Sequence, residues 1–114
     1  MRSKITSLSK NSEFKAILNG KKISNRYSTI FFKKLKGKDI KKLNISFVAK
    51  KKIGNAVKRN KIKRRLRNIM NYIAKEKKIN LNFSYLIIAK KIILDVDFNK
   101  LKEDLLLDLK KTIN

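Results

Sequence analysis

Residues 50–67 read Lys-Lys-Lys-Ile-Gly-Asn-Ala-Val-Lys-Arg-Asn-Lys-Ile-Lys-Arg-Arg-Leu-Arg. A strand-like run enters this stretch, Gly54-Asn55 breaks it, and Asn55 can cap a helix predicted to reach about Lys75. Ile62, Leu66, Ile69 and Ile73 recur at helical spacing and form one buried stripe, with Met70 at its side. Asn60, Lys63, Arg64, Arg67 and Asn71 fall on the opposite face. Arg59, Arg64, Arg65 and Arg67 all lie here, while only Arg2 and Arg26 occur elsewhere.

The flanking sequence supplies the elements this helix packs on. Residues 11–20 read as a short helix capped by Asn11 or Ser12, with Glu13 in its first turn and Gly20 as a left-handed stop. Phe14, Ile17 and Leu18 give it one apolar face. Tyr27 to Leu35 is predicted as a strand with Tyr27, Thr29, Phe31 and Lys33 on one face and Ser28, Ile30 and Phe32 on the other. Lys36-Gly37-Lys38-Asp39 is a turn, and Asn44 to Lys50 is a second strand. The two strands are close enough in sequence to pair antiparallel.

Beyond the basic helix, 76–82 reads as a polar connection only. Phe83 to Lys90 is a strand whose centre, Leu86-Ile87-Ile88-Ala89, is continuously apolar and belongs in the middle of a sheet. A last helix over Asp97–Lys111, started by Asp95 or Asp97, would bury Phe98, Leu101, Leu105 and Leu109. The order helix, strand, strand, helix, strand, helix predicts an α+β sandwich with helices against a small sheet. At 114 residues the chain is expected to form one domain over 1–114.

The charge defines the partner class. Against 32 Lys+Arg stand 8 Asp+Glu, a formal net charge of +24 that favours a polyanion. AT-rich coding would itself raise lysine, so the arginines carry more weight than the total. No acidic residue lies between Asp39 and Glu76, so the basic helix has no internal carboxylates to pair with. Lys58 and Arg59 lie in its first turns, where the helix dipole disfavours cations and favours anions. A solvated charged face is the ordinary reading of such a helix; these features favour nucleic acid instead. A membrane-surface helix is the other alternative, but here the apolar face is needed by the sheet.

Phe14, Tyr27, Phe31 and Phe47 have core as their default role, yet aromatics beside lysines on a sheet also stack unpaired bases. Cysteine and histidine are absent, and five of the eight carboxylates sit at or in the last helix. Neither a nucleophile nor a paired-metal cluster is visible, so the chain is expected to bind nucleic acid and not to cut it. No signal run and no apolar stretch of about 18 residues is present, and a cytoplasmic location is expected.

Lys51 through Arg67 resembles the signature of the bacterial ribonuclease P protein subunit, roughly Lys-Lys-x-Gly-x-Ala-Val-x-Arg-Asn-x-x-Lys-Arg-x-x-Arg, with every fixed position met. The resemblance extends to Asn11–Gly20, the two strands, and the Tyr85–Lys90 strand with its following helix. It implies a two-layer α/β sandwich with a small mixed sheet, like the second domain of a small-subunit ribosomal protein, and a left-handed βαβ crossover around the basic helix. It also implies a partner of a catalytic RNA that removes the 5′ leader of precursor tRNA, with magnesium used through that RNA and no dedicated protein ligands. No membrane and no stable protein partner are implied.

Carried over by position, Arg59, Asn60, Lys61, Lys63, Arg64, Arg65 and Arg67 would contact the catalytic RNA. Phe14, Leu18, Phe31, Lys51, Lys52 and Arg59 would border the cleft for the single-stranded leader. Two departures stand out: Leu18 occupies a position where an aromatic is common, and Lys61 one where arginine is common. The rivals are an RNA-binding module from another process, such as a small ribosomal protein, and a stand-alone nuclease.

Overall fold

A computed structural model describes residues 5–8, 10–76 and 79–113, the last three by backbone only. Five strands, β1 (Ile5–Thr6), β2 (Lys21–Ser24), β3 (Ser28–Lys33), β4 (Leu43–Val48) and β5 (Ser84–Ala89), form one sheet in the order β1-β4-β5-β3-β2. Three helices accompany it: α1 (Asn11–Leu18), α2 (Ala56–Lys75) and α3 (Phe98–Ile113). β5 runs parallel to β4 and antiparallel to β3; β1 pairs parallel with β4, and β2 antiparallel with β3. The fold is α+β with a mixed sheet, and α2 is the crossover of a parallel β4–α2–β5 unit.

β3 and β4 do not pair with each other, contrary to the sequence expectation; β5 lies between them. Two physical features explain this. Residues 34–42 separate the strands, more than the roughly two to five residues of a tight hairpin. β5 is apolar on both faces and gains most from the central position. β1 and β2 were not foreseen. Lys21-Lys22-Ile23-Ser24 has one apolar residue, and its pairing comes from the Asn25 turn, where the Asn25 side-chain oxygen accepts the N–H groups of Tyr27 and Ser28 at 2.8 Å each.

The main core lies between the sheet and the α2/α3 layer. Ile30 and Phe32 from β3, Ile45 from β4, and Tyr85 and Ile87 from β5 meet Ile62, Leu66, Ile69, Met70 and Ile73 from α2 and Leu101, Leu105 and Leu109 from α3. The predicted α2 stripe is fully buried. On the opposite sheet face, α1 brings Ile17 and Phe14 against Leu86 and Phe31, with Leu8, Leu35, Val48 and Ile88 around them.

Several local expectations change. α1 begins after Lys10, whose N–H is accepted by Glu13 Oε1 at 3.1 Å, so neither Asn11 nor Ser12 is the cap. Gly20 is not left-handed; a Cβ there would lie 2.5 Å from the Phe32 carbonyl oxygen, so glycine is required by the close approach of β3. The left-handed glycine is instead Gly37, with φ at 77°. Residues 51–53, between the predicted Asn44–Lys50 strand and the Gly54-Asn55 break, form a 3-10 turn that buries Ile53. Tyr27 precedes β3 and enters the main core, off the Phe31 face. Phe98, expected on the core face, is the first residue of α3 and is 38% exposed. The 76–82 connection is more than polar: Ile79 is buried, and the Asn80 carbonyl accepts the Tyr85 hydroxyl at 2.7 Å.

Candidate nucleic-acid interface

The cap of α2 is as expected. Asn55 Oδ1 accepts the Lys58 N–H at 3.0 Å, and the helix then runs unbroken through the basic segment. Asn60, Lys61, Arg64 and Arg67 are exposed, and Lys63 is half-buried beside them. They form a cationic, amide-bearing surface on the side away from the core.

Arg65 is placed differently from the expectation that it faces RNA. Its guanidinium donates to the Ile93 carbonyl and, at 2.6 Å, to the Val96 carbonyl, bracing α2 to the segment that leads into α3. The spacing held the signal: Arg65 follows Ile62 by three and precedes Ile69 by four, on the flank of the buried stripe. Arg59 shares that property, three before Ile62 and seven before Leu66. It is half-buried, and its Nε is sequestered with no hydrogen-bond partner. A donor in that condition carries a desolvation cost until an acceptor reaches it.

On the α1 side of the sheet, side chains stand in rows set by the pairing register. Phe31, Leu86 and Ser46 make one row; Thr29, Ile88 and Val48 make the next. Phe14 and Phe31 are half-buried in the cluster around Ile17 and Leu86, so the structure brings these two expected cleft residues together. Leu18 is left out of that cluster and is 46% exposed; Ile17 fills the α1 position against the sheet.

Ile88 belongs to this cluster and also lines a cavity of about 460 Å³ at the carboxyl ends of β4 and β5. Thr29, Ile53, Ile88 and Ala89 are its weakly polar walls, and Lys50, Lys52, Lys90 and Lys91 are its charged ones. Lys52 lines this cavity, whereas Lys51 is exposed in the 3-10 turn and does not. Lys50, Lys90 and Lys91 were missed. Parallel pairing puts the ends of β4 and β5 side by side, and that pairing was not read from the sequence. Lys90 is held in place: its N–H donates to the Tyr27 carbonyl at 2.8 Å and its ammonium to the Asn25 carbonyl at 2.6 Å.

Four of the carboxylates serve the fold. Glu13 pairs with Lys38, Asp97 caps α3, Asp104 accepts the Tyr27 hydroxyl at 2.6 Å, and Asp108 accepts the Asn25 amide at 2.7 Å. Among the described residues no group of three or more potential metal ligands comes together, and no helix is long and apolar enough to cross a membrane. The arrangement offers arginine forks, a lysine-lined cavity and two aromatic rings: the chemistry of phosphate and base contact.

Comparison with known proteins leads to the same place. The family model described as Ribonuclease P matches residues 3–112. The ribonuclease P protein component of Mesomycoplasma hyopneumoniae is 40% identical over 96 residues, covering 83% of this chain and 81% of its own. That of Listeria monocytogenes is 36% identical over 104 residues, covering 90% and 84%. Among solved structures, the ribonuclease P protein of Thermotoga maritima superposes with a TM-score of 0.77 at 32% identity, covering 93% of this chain and 96% of that one. The Staphylococcus aureus protein gives a TM-score of 0.77 at 27% identity, covering 95% and 97%. With its fold, its basic helix and its whole-length match in agreement, the chain belongs to the bacterial ribonuclease P protein family.

Proposed function

We propose that this subunit holds two RNAs at once: the catalytic RNA on the exposed face of α2, and the single-stranded 5′ leader of precursor tRNA in the groove between α1 and the sheet. The observation that carries this reading is that Ile88 belongs both to the half-buried Phe14–Phe31 cluster and to the wall of the lysine-lined cavity that precedes α2. Bases stack on the rings, and phosphates meet Lys50, Lys52, Lys90 and Lys91. Arg59, at the border of core and surface, gains an acceptor for its sequestered Nε when a phosphate arrives. Arg64 and Arg67 supply bidentate contacts to the catalytic RNA, with Asn60, Lys61 and Lys63 beside them.

Cleavage of the leader belongs to the RNA in this reading, and magnesium is bound there. The protein's part is electrostatic: a +24 subunit offsets the repulsion between two polyanions, raising substrate affinity and lowering the magnesium needed. The compartment implied is the cytoplasm, where precursor tRNA is found.

The decisive assay adds the chain to ribonuclease P RNA and precursor tRNA at low magnesium, where 5′ cleavage should be stimulated. Stimulation that is absent favours an RNA-binding role in another process, and cleavage without the RNA would indicate a stand-alone nuclease. Phe31→Ala should weaken precursor tRNA more than mature tRNA; equal losses would reduce Phe31 to a core residue. Arg64→Ala should lower the salt dependence of binding to the catalytic RNA by about 0.7–0.9 in log–log slope, one phosphate contact.

A further inference from the structure

At the other end of the sheet lies a second concave surface that the two contacts above do not use. It is a cavity of about 360 Å³ where the end of α1, the start of β2 and the end of β3 meet. Four residues of β3 separate Thr29, in the first cavity, from Lys33 in this one, about 14 Å at ~3.4 Å per residue. Phe83 forms the apolar wall. It is half-buried, and its ring packs against Phe32 at 5.3 Å between centroids and 82° between planes. The Lys34 ammonium lies over the Phe83 ring, 5.6 Å from its centroid.

Lys21, Lys33 and Lys34 complete the rim, all exposed, and no carboxylate lines the cavity. The β2–β3 register sets Lys21 opposite Phe32, next to Lys33, so the lysines converge through sheet pairing and not merely through their abundance. Lys36, Lys41 and Lys42 extend the positive surface along the connection to β4.

We propose that this pocket is a second single-stranded RNA site, taking one unpaired nucleotide with its base on Phe83 and its flanking phosphates on Lys21, Lys33 and Lys34. The proposal rests on the chain being an RNA binder and adds a contact that neither α2 nor the α1 groove supplies. A ring accepts any base and lysines act as point charges, so the site is sequence-tolerant. The nucleotide comes from the distal part of a long leader or from an unpaired loop of the catalytic RNA.

The test uses the full chain with three probes: catalytic RNA alone, precursor tRNA with a short leader, and precursor tRNA with a long leader. The triple variant Lys21→Gln/Lys33→Gln/Lys34→Gln should weaken binding and reduce the salt slope by about 2, three single-strand phosphate contacts at ~0.7 each. Phe83→Leu should weaken the same RNA about fivefold with the slope unchanged, and Phe83→Tyr should retain wild-type affinity. Losses confined to the long leader identify the distal leader as the occupant; losses with catalytic RNA alone identify an RNA loop.

A control triple on α3, Lys100→Gln/Lys102→Gln/Lys110→Gln, removes the same charge elsewhere, with its Tm followed because Lys100 pairs with Asp104 and Lys102 lies over the Tyr72 ring. Equal losses from the two triples overturn the proposal. So does Phe83→Leu that is folded and binds all three RNAs like wild type. Should Phe83→Leu fail to fold, the comparison of the two lysine triples decides alone. A wild-type chain that binds none of the probes removes the RNA-binding reading itself, whereas a wild type that binds them with indifferent pocket variants removes only this site.

Discussion

Replacing Arg65 separates the arginines that hold the protein together from those that face RNA. Its guanidinium donates two hydrogen bonds to backbone carbonyls, at Ile93 and Val96, in a part-buried setting. Hydrogen bonds to a charged group contribute about 1.5–3 kcal/mol each, and partial exposure argues for the lower end, about 3 kcal/mol for the pair. Unfolding entropy of about 2.1 cal/mol/K per residue gives about 0.24 kcal/mol/K for a chain of this length, so Arg65→Ala should lower Tm by about 12 °C. Arg65→Lys keeps the charge but reaches one carbonyl, and about half of that loss should remain.

Thermal melts by circular dichroism and binding to the catalytic RNA across a salt series give the two readouts. Arg65→Lys should leave the salt slope at its wild-type value. Arg64→Ala should do the reverse, shifting Tm by no more than about 2 °C, as for surface substitutions of ~0.5 kcal/mol, while lowering the slope. Arg65 variants that melt with wild type and lose slope as Arg64→Ala does would refute the assignment of Arg65 to the fold.

Other perturbations test the scaffold. Gly20→Ala places a Cβ 2.5 Å from the Phe32 carbonyl oxygen and should cost about 1–3 kcal/mol in chemical denaturation, with a wild-type midpoint refuting the close approach. Asn55→Ala removes the cap on the Lys58 N–H and should cost about 0.5–2 kcal/mol, measured the same way, with Asn55→Asp retaining most of the stability. Two tyrosines should make the fold sensitive to alkali. The hydrogen bond to Asp104 raises the pKa of Tyr27, and burial raises that of Tyr85. Their folded values lie above the unfolded value of about 10, so their contribution is fully present below about pH 10 and is lost as pH rises through the folded values. In a Tyr72→Phe background, tyrosinate absorbance should rise only together with loss of circular dichroism; absorbance that rises in a folded protein would contradict this.

Much of the fold could be read because single elements were strongly patterned. The Ile62–Ile73 stripe and the all-apolar centre of β5 were each legible by themselves: the stripe is buried and β5 lies mid-sheet, as read. The order of strands could not be read the same way. Nothing in Ser28–Lys33 or Leu43–Val48 says that a strand forty residues downstream will separate them; loop length and the two-sided apolarity of β5 had to be weighed together. Site residues followed the same division. The exposed face of α2 was set by helical period alone, and the half-buried pair Phe14 and Phe31 by packing on either side of Leu86. Lys50, Lys90 and Lys91 come together only through the β4–β5 pairing, so they were invisible until the topology was known. Arg65 was misjudged because charge was given more weight than its position beside the stripe.

The central place of β5 bears on how the chain comes off the ribosome. β5 is the last strand to be synthesised, yet both β4 and β3 hydrogen-bond to it. Until residue 89 has emerged, the sheet exists as two fragments with a gap, and the apolar stripe of α2 has only part of its floor. Such long-range closure is slow, and its late step leaves apolar surface uncovered in the interim. The nascent chain thus displays a helix that is cationic on one side and greasy on the other, well before it has a place to put either. Premature termination between α2 and β5 would release that helix unshielded, a species prone to nonspecific capture by any RNA nearby and a natural substrate for proteolysis.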